Sequence, residues 1–125
     1  MKTISQKHII HASPSEVYSA LTNPFTIELW SGYPAVMEPT EGFEFTIFDG
    51  DITGKNIKVV ENELLVQNWY FGDVTDESMV TIKLSPHEKG TRVTIEHTNV
   101  PDEDFDEFEE GWKTYYWGAI KDFFK

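Results

Sequence analysis

The chain has no cysteine, few basic residues and no long apolar run, and each shortage removes a class of explanation. Without thiols there is no disulfide framework and no thiolate chemistry, a composition that fits a reducing compartment, so a cytoplasmic location is expected. Ten bases against 22 acids leave a formal net charge of −12. Such a surface repels nucleic acid and anionic lipid over most of its extent, and neither is expected as a partner. No apolar stretch approaches the ~20 residues that a membrane-crossing helix needs, and the amino end has no cationic leader followed by an apolar core. The chain also lacks a glycine-rich phosphate loop, a nucleophile elbow and a histidine pair at helical spacing, so no catalytic set, metal or cofactor is expected.

What the chain does have is aromatic residues, 14% of the total, and 125 residues in which to bury them. That length suits one core, and with no linker or internal repeat a single domain over residues 1–125 is expected. The strongest pattern is the last one. Placed at 100° per residue, Phe105, Phe108, Trp112, Tyr115, Tyr116, Ala119, Ile120 and Phe123 fall on one arc, which predicts a long amphipathic helix from Phe105 to Lys125. Trp117 and Phe124 lie about 100–120° off that arc and, if exposed, would form a patch for self-association. Gly111 and Gly118, seven residues apart, would allow close approach of another backbone.

Most of the remainder reads as strands. A weak alternation from Thr3 to His11 turns Ile4, His8 and Ile10 to one face. Ser13 then supplies an N-cap, Pro14 a first helical residue and Glu16 the capping-box acid for a short helix from Pro14 to Leu21. Asn23-Pro24 breaks it and starts a second short helical turn carrying Phe25, Ile27, Leu29 and Trp30. Ala35 to Glu38, then Phe43, Phe45 and Ile47, alternate toward the Asp49-Gly50 turn, and the return strand runs from Ile52 to about Val60. Leu64 to Phe71 is the most hydrophobic strand. Gly72 to Glu77 reads as an acidic loop, and Asp73 and Asp76 as turn acids. Val80, Ile82 and Leu84 pair across His87 to Gly90 with Val93, Ile95 and His97, giving six or seven antiparallel strands. Strands, two short helices after the first of them, and one long closing helix make an α+β arrangement.

A large helix closing over a curved sheet leaves a space in which function is expected. Trp30, Phe43, Phe45, Tyr70, Trp112 and Tyr116 would line it, apolar walls with a few polar tips of the kind small-molecule pockets have. Alternation turns Asn68 inward, flanked by Val66 and Tyr70, along with His8 and His97, and Asn56 is a further polar candidate. Glu109 lies about 60° from Trp112 and is the best candidate for an inward carboxylate.

Particular residues carry a family resemblance. Ile10-His11-Ala12-Ser13-Pro14-Ser15-Glu16-Val17-Tyr18, followed by Leu21-Thr22 and Trp30, resembles the amino-terminal signature of the START-like (SRPBCC) helix-grip superfamily. Asp49-Gly50-Asp51-Ile52-Thr53-Gly54, Val66-Gln67-Asn68-Trp69-Tyr70-Phe71 and Gly111-Trp112-Lys113-Thr114-Tyr115-Tyr116 with Ile120-Lys121 resemble, more narrowly, the carboxy-terminal domain of the heat-shock-protein-90 ATPase activator family. The resemblance implies a helix-grip fold, a sheet wrapped on the long helix. Together with the ring-lined interior and the missing catalytic set, the resemblance leads to the expectation of a non-enzymatic binding domain that holds a small hydrophobic ligand between sheet and helix, at Trp30, Phe43, Phe45, Asn68, Tyr70, His97, Glu109, Trp112 and Tyr116, or docks on a chaperone of the heat-shock-protein-90 type, as a monomer or weak homodimer. The competing expectation is a cyclase- or hydrolase-like enzyme using His8, His97 or Glu109 as acid or base.

Overall fold

The computed structural model describes residues 1–71 and 77–125, so the loop expected from Gly72, with Asp73 and Asp76, lies almost wholly outside the described residues. Six antiparallel strands, β1 (Lys2–Ile10), β2 (Glu44–Ile47), β3 (Ile52–Val60), β4 (Leu64–Trp69), β5 (Ser78–His87) and β6 (Gly90–Val100), form one curved sheet in the order β1-β6-β5-β4-β3-β2. After β1 come α1 (Pro14–Thr22) and α2 (Pro24–Ser31). After β6, a 3-10 turn at Asp102–Asp104 leads into α3 (Phe105–Gly111), which passes through a π-helical turn (Trp112–Trp117) into α4 (Gly118–Phe123). This α+β arrangement is the helix-grip fold. No helix among the described residues is long and apolar enough to cross a membrane.

Local chemistry explains the corners. Ser13 Oγ accepts from the Glu16 amide while Glu16 Oε1 accepts from the Ser13 amide, a reciprocal box that starts α1. Asn23 ends α1 and starts α2, its Oδ1 accepting from the amides of Phe25 and Thr26. Trp30 Nε1 donates to the Ala20 carbonyl at 2.7 Å and ties the two helices together. Between β2 and β3, Asp49 and Gly50 take the positive φ their sequence suggests, but Phe48 does so too, at φ 53, and folds its ring back toward Trp30 and Tyr116. The Ala35–Glu38 stretch contributes a single bridge, Val36 to Thr46.

The long helix departs from its expected wheel. The π-helical turn holds one residue more than an α turn, which swings everything after it by about 100°. Trp117, placed off the apolar arc by α-helical geometry, is fully buried, and Phe124 packs against the core. Tyr115 and Phe123, placed on the arc, are exposed. The condition for an exposed Trp117–Phe124 patch is thus not met, since Trp117 is buried and Phe124 half-buried. Gly118 marks the end of the turn for a steric reason, since a Cβ there would lie 2.6 Å from the Lys113 carbonyl oxygen. The close backbone is thus the helix's own, and Gly111 faces open space.

Candidate functional site

Between helix and sheet the strands turn alternate residues inward. On β1 these are Ile4, Gln6, His8 and Ile10, and on β6 they include Val93, Ile95 and His97. β4 contributes Leu65, Gln67 and Trp69. That last set corrects the expected face by one residue, because Leu64 to Tyr70 is apolar on both parities and alternation alone does not choose. Asn68 consequently faces outward, where its Oδ1 accepts from the Ser78 amide at 3.2 Å, and Tyr70 is 43% exposed. Of the nine candidate residues, Trp30, Phe45, His97, Trp112 and Tyr116 are buried in one cluster, Phe43 is half-buried against it, and Glu109 is half-buried at the rim.

The rings interlock across this space. Trp69 stacks on Trp112 with centroids 4.7 Å apart and planes 21° apart, and Trp112 meets Tyr116 at 4.5 Å. Tyr116 in turn meets Trp30 at 5.0 Å, while Phe71 and Phe108 close one end at 4.9 Å. Trp112 also stacks on Trp117, which His8 covers at 5.9 Å. Such pairs add about 0.5–1.5 kcal/mol each to the burial of the rings themselves. Among the described residues, one concavity lies on the outward face of the sheet and another between the α1–α2 corner and the Glu61-Asn62 turn.

Polar groups in the core form chains whose ends are backbone carbonyls. Trp112 Nε1 donates to His97 Nδ1 at 3.1 Å, so the ring carries its proton on Nε2 and donates it to Ser78 Oγ at 2.8 Å. Ser78 then donates to the Thr98 carbonyl at 3.0 Å. Burial lowers the His97 pKa from 6.5 to about 4. With Nδ1 engaged by the indole and Nε2 already protonated, His97 has no lone pair with which to take the Ser78 proton. A second chain was missed in sequence because of the parity error at Gln67. Trp69 Nε1 donates to Gln67 Oε1, Gln67 Nε2 to Asn56 Oδ1, and Asn56 Nδ2 to the Glu38 carbonyl, at 2.9, 3.0 and 2.8 Å. Asn56, a polar candidate for the inner side, is fully buried.

A third chain clips β1 to the helix. Lys121 Nζ donates to His8 Nδ1 at 3.0 Å, His8 Nε2 donates to Gln6 Oε1 at 2.9 Å, and Gln6 Nε2 donates to the Glu109 carbonyl at 3.0 Å. What Glu109 sends to the sheet is thus a main-chain oxygen. Burial, aided by the charges of Lys121 and Lys113, lowers His8 to about 4. Among the described residues the one buried side-chain polar atom with no partner is Trp117 Nε1. Among the described residues the titratable side chains His8 and His97 are each held in a separate hydrogen-bond chain.

Comparisons with known proteins agree with this architecture. The profile of the family described as "Activator of Hsp90 ATPase homolog 1-like protein" matches residues 11–125. The chain is 27% identical over 123 residues to the human activator of 90 kDa heat shock protein ATPase homolog 1, covering 97% of this chain and 36% of that protein. It is 31% identical to the Dictyostelium discoideum homologue, covering 96% and 32%. The chain therefore spans about a third of the length of these curated relatives. Among solved structures, an HSP90 activator from Plasmodium falciparum superposes with a TM-score of 0.89 at 22% identity, over 98% of this chain and 96% of that one. The Aha1 dimer from Colwellia psychrerythraea superposes with a TM-score of 0.87 at 20% identity, over 99% and 96%. With its helix-grip fold and a profile match over nearly its whole length, the chain belongs to the family of Activator of Hsp90 ATPase homolog 1-like proteins.

Proposed function

We propose that this chain is a non-enzymatic docking domain that engages a cytoplasmic chaperone of the heat-shock-protein-90 type with its surface. The observation that carries the reading is the family match over residues 11–125, made by a domain whose relatives are described as activators of that chaperone's ATPase. The interior supports the non-enzymatic half of it. Stacked rings occupy the space where a small apolar ligand would sit, and the hydrogen bonds of His97 leave it no basic lone pair for Ser78. This weighs against both the ligand-holding reading and the cyclase- or hydrolase-like one. The test is calorimetric titration of the chain into the chaperone from the same organism, with the ATPase rate followed in parallel. Binding in the micromolar range supports the proposal, and no heat up to 100-fold excess refutes it.

A second reading, self-association, draws on the Colwellia dimer and on α2, where Phe25 and Leu29 stand one turn apart, 77% and 71% exposed. Light scattering on the wild type and on Phe25→Ser/Leu29→Ser decides it. A dimer that the double change converts to monomer supports self-association through α2, and a monomeric wild type excludes it.

A further inference from the structure

The outward face of the sheet runs against the charge of the chain. Lys7 on β1, Thr94 on β6, Lys83 on β5 and Leu64 on β4 stand opposite one another in one row across the strands. The next row holds Ser5, Glu96, Thr81, Val66 and Lys58. Arg92 stands between Ile9 and Ser85 at one end, and Lys55 stands beside Asn68 and Glu44 toward the other edge. Among the described residues, the strand positions of this single face thus carry five of the ten bases and two acids, Glu44 and Glu96. All five cations are exposed. Among the described residues the ion pairs are Met1 with Asp102 and Lys125 with Asp122, and neither involves one of the five. A depression of about 720 Å³ opens on the same face, walled by Ser5, Lys7, Thr81, Lys83, Thr94 and Glu96.

We propose that this outward sheet face is the docking surface by which the domain grips an acidic surface of its chaperone. The step rests on the functional reading above and adds the face that is used. Charge complementarity names the partner's chemistry, because a carboxylate-bearing surface meets exposed ammonium and guanidinium groups and hydroxyls that can donate to it. Size argues in the same direction. At ~4.8 Å between strands and ~3.3 Å per residue, six strands offer roughly 25 by 30 Å, about the ~800 Å² one side of a standard protein interface needs. A polyanion larger than the face is a poorer fit. Nucleic acid or an anionic bilayer would extend over the rim, where the rest of the chain is strongly acidic and lies within the ~8 Å screening length. Leu64 and Val66, half-buried at the centre, supply apolar contact.

The experiment compares the wild type with Lys7→Glu/Lys83→Glu/Arg92→Glu and with a control of equal charge change away from the face, Lys89→Glu/Lys113→Glu/Lys125→Glu. Each is titrated with the chaperone from the same organism, and the ¹⁵N-labelled wild type is separately mapped by NMR with a 20-residue glutamate-rich helical peptide. Near-UV circular dichroism verifies that each variant is folded. The expected result is a loss of at least tenfold in affinity for the face variant, within threefold for the control, and peptide shifts confined to the Lys7–Lys83 and Ser5–Lys58 rows. If the chaperone binds and both triple variants weaken alike, or neither does, the face is wrong and the chaperone reading stands. If the chaperone does not bind the wild type, the functional reading fails. The acidic-docking face then stands or falls with the peptide, and shifts elsewhere overturn it. Tighter binding to a DNA duplex or to phosphatidylserine vesicles than to the peptide overturns the assignment to a protein partner.

Discussion

His97 shows what the buried polar residues of this chain are for. It holds Trp112 on the helix and Ser78 on β5 at once, and its lowered pKa means that the folded protein keeps it neutral down to about pH 4. The unfolded chain takes up that proton near pH 6.5, so at intermediate pH the unfolded state binds more protons than the folded one. The contribution is fully present above pH 6.5, falls as pH drops toward 4, and amounts to on the order of 3 kcal/mol. His8, shifted the same way, adds to this slope in the same window. His97→Leu is expected to cost about 2–4 kcal/mol, because the Trp112 indole and Ser78 hydroxyl lose their partner. It is also expected to flatten the stability curve between pH 6.5 and 4. Urea unfolding of both proteins across that range measures it, and an equal slope in the two would contradict the assigned role. The inward direction of His97 was legible from alternation along β6. Its partners were not, since Ser78 and Trp112 reach it only through the sheet register and the helix crossing.

At the scale of elements, the caps and turns were the most legible parts. Ser13, Glu16, Asn23 and Pro24 act within three residues of their own positions, and local chemistry sets the boundaries they make. β4 and the long helix were read less well, for two physical reasons. A strand apolar on both faces offers no parity signal, which moved Asn68 and Tyr70 outward and brought Gln67 and Trp69 in. A π turn breaks the 100° wheel, and nothing in local propensity announces one except a glycine whose Cβ would strike the carbonyl five residues back. The two helix glycines therefore have opposite expected outcomes. Gly111→Ala is expected to stabilise by about 0.5–1 kcal/mol, the ordinary helix-propensity gain. Gly118→Ala is expected to destabilise by about 2 kcal/mol or more, because the turn must either open against Lys113 or rotate Trp117 out of the core. Thermal melts of the two variants check this, and a stabilised Gly118→Ala would show that the wide turn is not held by the missing Cβ.

For the whole molecule, the division of labour is between a packed interior and a polarised exterior. Aromatic rings and hydrogen-bond chains pack between helix and sheet, while half of the bases stand on the outward sheet face and acids crowd the Asp102–Glu110 entry to the long helix. The proposed electrostatic docking would show in on-rate and salt dependence, so it predicts that chaperone affinity falls by an order of magnitude or more between 50 and 300 mM salt. Calorimetry at the two salt concentrations measures it, and a salt-independent affinity would point to an apolar contact such as Phe25 and Leu29. The most direct single measurement is an NMR titration of the ¹⁵N-labelled chain with its chaperone, read at the indole N–H signals of Trp69, Trp112 and Trp117 as well as along the backbone. Surface docking predicts that backbone signals of the outward strand residues shift while the three core indoles stay in place. Indole shifts with an unperturbed outward face would contradict it, and would return the function of this domain to its interior.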